Sequence, residues 1–290
     1  MFIADAFKRF DTQLDADGRS KYTRAQYRRH IGMLANWANE NACPHVEDLT
    51  TNDIAQFLTT PTARQLADGT PKKATSVNAL RSSLRVFCAF LFQADLVAND
   101  PAKLVRRAIT ETPPPRALQS DEAEKLFAVI RECEGKAARR DEMLFTLLLA
   151  TGVRLSSALK LSVDDLQLNE GSIRVWAKRD RVQVVYLPTA CVTRLRAFVA
   201  GREGPVFVGP SGRELSPRTV QRRFSDWREM AGISKNVSPH SLRHCFATEL
   251  YRRTHDVLLV RAALGHASLS SSLIYTRVDE GRLREALEGF

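Results

Sequence analysis

The chain has 290 residues with 43 Lys and Arg against 33 Asp and Glu, a formal net charge of +10, and 44% of its residues are apolar. That apolar share fills a core and excludes a disordered chain, while the length admits either one large domain or two. A basic balance favours a polyanionic partner through phosphate contacts and counterion release, although charge by itself also fits an ordinary basic protein. The apolar run 86–92 is too short to span a bilayer, and the first residues show no apolar leader, so no membrane partner and a cytoplasmic location are expected. Five scattered cysteines without a close ligand pair read as free thiols, with Cys88 and Cys245 as core fillers.

The first hundred residues read as helical. Tyr27, Ile31, Leu34 and Trp37 recur at three- and four-residue spacing over residues 22–41, and residues 51–53 begin a short helix with Ile54, Phe57 and Leu58. Residues 61–75 read as a loop. Ser76 is expected to cap a helix to about residue 94, with Leu80, Leu84, Phe87 and Leu91 as its apolar stripe. Arg81 and Arg85 flank that stripe, where they could meet phosphates. Pro101 stops the helical region, and Pro113-Pro114-Pro115 cannot continue a helix. The expected organisation is a helical DNA-binding domain at 1–106, a Pro-rich linker at 107–118 and a second domain at 119–290. Residues 1–116 hold 16 basic and 12 acidic side chains and residues 117–290 hold 27 and 21, so both halves are basic.

The second half mixes helices and strands. Ser120 is expected to cap a helix through Ile130, and further helices are expected over residues 139–150 and 153–161 with a break at Thr151-Gly152. Residues 172–176 alternate as a strand, paired with 182–187 across a turn at Lys178-Arg179-Asp180-Arg181. A helix at 190–199, a short strand or extended edge at 206–208 and a helix from Ser216-Pro217 through Trp227 follow. Helices are then expected near 240–252, 256–264, 270–275 and 281–288.

Two arginines, two histidines and a tyrosine stand out: Arg154 after Thr151-Gly152-Val153, the cluster His240-Ser241-Leu242-Arg243-His244, Leu264-Gly265-His266, and Tyr275. Transfer of a phosphodiester to a side chain needs a nucleophile, donors for the phosphoryl oxygens, a base and an acid for the leaving oxygen. Arginine supplies the donors because its fork matches two phosphate oxygens and stays charged. A tyrosine oxygen can attack phosphorus, given a base or positive field to offset its pKa of about 10. His240 is the candidate base, His266 the candidate hydrogen-bond donor to a phosphoryl oxygen, and Lys178 the candidate acid. Arg179 and Arg181 are suited to binding backbone phosphates. His240 and His244 share a helix face four residues apart, but no third ligand stands at zinc spacing, so no metal is expected.

Taken together and in order, Ala150-Thr151-Gly152-Val153-Arg154-Leu155-Ser156, His240-Ser241-Leu242-Arg243-His244, Leu264-Gly265-His266 and Ile274-Tyr275-Thr276 resemble the tyrosine recombinase, or phage integrase, family, and in size and layout its Xer-like bacterial members. The resemblance implies an all-α N-terminal core-binding, SAM-like domain and a mixed α+β catalytic domain. It implies that Arg154 and Arg243 hold the scissile phosphate with His266, that His240 assists proton transfer, that Lys178 protonates the leaving 5′ oxygen, and that Tyr275 remains on the 3′ phosphate. No ATP, metal or other cofactor is implied. The implied partners are double-stranded DNA with inverted half-sites and a tetramer, of this chain alone or mixed with a second recombinase, working through a Holliday junction, with an accessory protein possible. The segment 281–290 resembles a tail that docks on a neighbouring subunit, with packing on its own domain as the alternative. In two places the chain departs from the family. Ser157 stands where close relatives commonly carry an acid, and the interval from Lys178 to Pro188 is two residues longer than usual. A topoisomerase-like enzyme and a non-cutting architectural protein on the same fold remain open at this stage.

Overall fold

The computed structural model describes residues 1–108, 117–176, 182–210 and 212–265. Two compact units divide the chain, Met1–Thr112 and Pro113–Phe290.

The first unit is all helix. It contains α1 (Ile3–Ala16), α2 (Lys21–Glu40), α3 (Thr51–Phe57), α4 (Pro61–Arg64) and α5 (Ala74–Gln93), with a 3-10 turn at Val46–Asp48. In α1, Ile3, Ala6, Phe10 and Leu14 are buried, a spacing of three or four that places them on one face. Phe10 meets Tyr27 of α2 and Phe87 and Phe90 of α5 edge-on or tilted, with ring centroids 5.2–5.5 Å apart. These three helices therefore share one core. The region 61–75, expected as a loop, contains α4, because Pro61 fits the first turn and the Thr60 hydroxyl accepts from Ala63 N. Helix α5 starts at Ala74, before Ser76, with Lys73 at the cap and no side-chain capping bond. The start is fixed from outside, since Lys72 N donates to Arg64 O at 2.7 Å.

The second unit holds α6 (Ser120–Glu132), α7 (Lys136–Thr151), α8 (Leu155–Ala158), a 3-10 turn at Val163–Asp165, strands β1 (Leu166–Gln167), β2 (Ser172–Trp176) and β3 (Val182–Tyr186), then α9 (Thr189–Val199), α10 (Pro217–Met230), α11 (Pro239–Thr254) and α12 (Val257–Leu264). The three strands form an antiparallel sheet in the order β1-β2-β3, with Trp176 paired to Val182 as the last pair of β2 and β3. Ile173, Val175 and Val185 are buried, whereas Trp176, Val182, Val184 and Tyr186 are exposed, the alternation of a sheet with one covered face. Three details differ from expectation. The helix expected over 153–161 is only the four-residue α8, with Arg154 extended at its cap. The cap of α6 is Gln119, which forms a capping box with Glu122, one residue before Ser120. Residues 206–208 form no strand of the sheet: Val208 makes an isolated bridge to Glu214, and the preceding Pro205 one to Ser162. The helices expected near 270–275 and 281–288 lie outside the described residues.

Helix α7 is the spine of this unit, carrying buried Met143, Leu144, Phe145, Leu147 and Leu148. Asp141, 1% exposed, fixes its roll. One carboxylate oxygen accepts from Arg140 Nε and Nη2 at 3.0 and 2.7 Å, and the other from Trp227 Nε1 at 2.9 Å and Arg223 Nε of α10. A carboxylate that deep is tolerable only because cationic and neutral donors fill its lone pairs.

Candidate active site

Helix α7 must stop for Arg154 to leave it. Gly152 ends it in the left-handed conformation, φ 63° and ψ 14°, and its N–H donates to Leu148 O at 2.9 Å. The glycine is required twice over. A β-carbon here would collide with Phe246 Cδ1 and stand 2.9 Å from Leu264 Cδ2, so the chain passes too close to α11 and α12 for any side chain. Two residues on, Arg154 caps the short α8 in extended conformation, its carbonyl accepting from Ser157 N and Ala158 N at 2.9 and 3.0 Å. Its side chain is half-buried, with no hydrogen-bond or ion-pair partner among the described residues.

Helix α11 is capped by Ser238, in a capping box with Ser241, with Pro239 in the first turn. His240 therefore sits in the first turn and keeps solvent contact, while Arg243 points inward, 3% exposed. Arg243 donates Nη1–H to Gly152 O and Nη2–H to Leu264 O at 2.8 Å. One buried guanidinium thus ties the segment two residues before Arg154 to the segment two residues before His266. Two of its five N–H groups are engaged by these carbonyls.

The charges converge on the histidines. His240 is held below its ordinary pKa by partial burial, then by the nearby charges of Arg243 and Arg154. His244 packs edge-to-face on His240, ring centroids 4.7 Å apart, and is pushed down to about 4 by burial, His240 and Arg243. At neutral pH both rings are uncharged, and a neutral imidazole is the form that accepts a proton.

The sheet approaches the same place. The Ser157 hydroxyl donates to Trp176 O at 2.9 Å, fastening the last residue of β2 to α8. Gln183 of β3 donates its amide to Ala262 O and Ala263 O, each at 3.4 Å, at the end of α12. Lys178, Arg179, Arg181, His266 and Tyr275 themselves lie outside the described residues. Arg81 and Arg85 belong to the first unit, on one face of α5. Arg85 is exposed, and Arg81 is half-buried with its Nε unpaired. Among the described residues no cluster of His, Cys, Asp or Glu could hold a metal, and no helix is long and apolar enough to cross a membrane.

Arg154, His240 and Arg243 are thus brought together. Gln183 and Asp141 were missed. Gln183 left one signal, a polar residue at the position of β3 that alternation assigns to the covered face; Asp141 left a weaker one, an acid among the apolar residues of a buried helix.

The family model for phage integrases matches residues 116–282, and that for their N-terminal SAM-like domain matches residues 7–95. The chain belongs to the phage integrase family. The curated tyrosine recombinase XerC of Chromobacterium violaceum is 31% identical over 98% of this chain and 94% of its own length, and XerC of Rhodospirillum centenum is 33% identical over 98% and 86%. A solved XerH site-specific recombinase bound to its difH substrate, 24% identical, superimposes with a TM-score of 0.72 over 97% of this chain and 83% of that one, a likeness of fold. This integrase is Xer-like, with an all-α SAM-like domain followed by a mixed α+β catalytic domain. It is an enzyme, a tyrosine-type DNA strand transferase that cleaves and rejoins strands through a phosphotyrosine bond.

Proposed function

We propose that this integrase is a site-specific recombinase that acts on duplex DNA with inverted half-sites, as a tetramer, through a Holliday junction. The observation that carries the reading is Arg243, whose two carbonyl bonds hold the Arg154 segment and the His266 segment against one helix beside His240.

In this reading the Tyr275 oxygen attacks the scissile phosphorus. A phosphorus–oxygen bond forms on the 3′ side and the bond to the 5′ oxygen breaks. His240, neutral and open to solvent, assists transfer of the phenolic proton. Arg154, Arg243 and His266 hold the phosphoryl oxygens, and their charge matches what accumulates as phosphorus is attacked. Lys178 returns a proton to the leaving 5′ oxygen. Because the ester keeps the bond energy, a 5′ hydroxyl from the partner duplex reverses the step and joins the strands. Arg81, Arg85, Arg179 and Arg181 contact backbone phosphates. The names of the relatives, recombinases by their descriptions, favour strand exchange over relaxation of a single duplex.

The test begins with duplexes selected by binding from a randomised pool and then nicked near the centre. Incubated without magnesium or ATP, the protein should acquire a covalent DNA adduct that survives detergent and maps to Tyr275. Tyr275→Phe should bind but form none, and paired selected sites on one plasmid should recombine. An adduct on another residue, or cleavage that leaves free ends only, overturns the reading.

A further inference from the structure

The end of α12 is gripped from two sides. A helix leaves its last four carbonyls without intrahelical donors. Here Arg243 of α11 satisfies Leu264 O, and Gln183 of β3 reaches both Ala262 O and Ala263 O. Only the amide nitrogen can donate to a carbonyl, so the orientation of the Gln183 side chain is fixed. Its approach is also unusually close. A β-carbon on Gly265 would collide with Gln183 Oε1 and stand 3.1 Å from its Cδ, and Gly265 itself is left-handed at φ 59°. Gln183 pairs with Val175, one pair from the Trp176–Val182 end of the hairpin, and Trp176 O is held by Ser157. Strand β3 is therefore fastened to the last turn of α12, three and four residues before His266.

We propose that Gln183 is a positioning residue for strand cleavage, coupling the β2–β3 hairpin to the segment that begins at Gly265-His266. Its amide is engaged by backbone carbonyls of α12. It acts by fixing where the backbone leaves α12, while Arg243 fixes the same end from the opposite element. The glycine of Leu264-Gly265-His266 then has a second duty besides ending the helix, since it admits the amide.

The inference rests on the recombinase reading, and its test is built to fail separately. Gln183→Met keeps the length of the side chain and removes the donor. With selected nicked duplex, its rate of adduct formation at saturating DNA should fall about tenfold, the loss expected from two modest hydrogen bonds. DNA affinity should stay within about twofold, because no phosphate contact is removed. Gly265→Ala should cost markedly less in the Gln183→Ala background than in the unaltered protein, since the collision disappears and only backbone strain remains. Parent-like cleavage by Gln183→Met, or an equal cost of Gly265→Ala in both backgrounds, overturns the proposal. If the unaltered protein forms no adduct, the recombinase reading fails. Amide hydrogen exchange across residues 262–266 then decides the coupling: Gln183→Met should speed it, and unchanged exchange refutes it.

Discussion

Replacing Gly152 by alanine tests the crossing of α7, α11 and α12 most directly. The new methyl enters a left-handed position, which costs a non-glycine residue about 1 kcal/mol. It also collides with the Phe246 ring and lies 2.9 Å from Leu264 Cδ2, so two packed side chains must shift, an overpacking cost of about 1–3 kcal/mol. Together about 2–4 kcal/mol is a large share of the ~5–15 kcal/mol that holds a typical domain. The displacement also reaches the site, because Phe246 follows Arg243 by three residues and Leu264 O is its acceptor. Urea unfolding measures the first effect. Adduct formation at a temperature where the variant remains folded measures the second, with a loss approaching a hundredfold for a misplacement of about 1 Å. Adding Phe246→Leu should restore part of the stability by opening space at the ring. A loss below about 1 kcal/mol, or no recovery with Phe246→Leu, refutes the account of the crossing.

Three further outcomes follow from the buried and charged groups. Asp141→Ala strips the carboxylate from Arg140, Arg223 and Trp227 and should cost about 3–5 kcal/mol in chemical denaturation. His30, 4% exposed, meets Ser83 Oγ at 2.8 Å through Nδ1; that hydroxyl already donates to Ala79 O, so His30 donates as a neutral ring, and burial followed by the Arg29 and Lys72 charges pushes its pKa down to about 4. The unfolded chain takes the proton first. Stability is therefore full above about pH 6.5 and falls by up to about 3 kcal/mol as pH drops towards 4; His30→Gln should flatten that part of a pH-dependent melting curve. With His240 as the proposed base, its lowered pKa should place the acid limb of the adduct rate below pH 6.5. Replacing Arg154 by Gln removes one of the charges that depresses it, so in His240-dependent cleavage that limb should move to higher pH, and an unmoved limb would show that Arg154 does not face the imidazole.

How far the sequence reached depended on whether a signal was local. Arg154, His240 and Arg243 were legible because each stands beside punctuation, a helix-ending glycine or a Ser-Pro start, that can be read without the fold. The hairpin was legible from alternation. The short α4 and the true start of α5 were not, since a four-residue helix has little periodicity and α5 is set by Lys72 pairing with Arg64 rather than by a cap. Gln183 could be noticed as a polar intrusion but not explained, because its acceptors lie about eighty residues away. Ser157 was expected to stand in place of an acid. Its hydroxyl donates to the Trp176 carbonyl, a bond that a carboxylate could not make.

The anchoring of Arg243 has an entropic consequence. A long, flexible side chain ordinarily surrenders about 2 kcal/mol of rotamer freedom when it is immobilised. With two backbone oxygens already grasping it, that surrender happens while the polypeptide folds. In the proposed role of Arg243, an oxyanion arriving later would meet a cation that has no searching left to do, and discrimination among arriving groups would become a matter of shape.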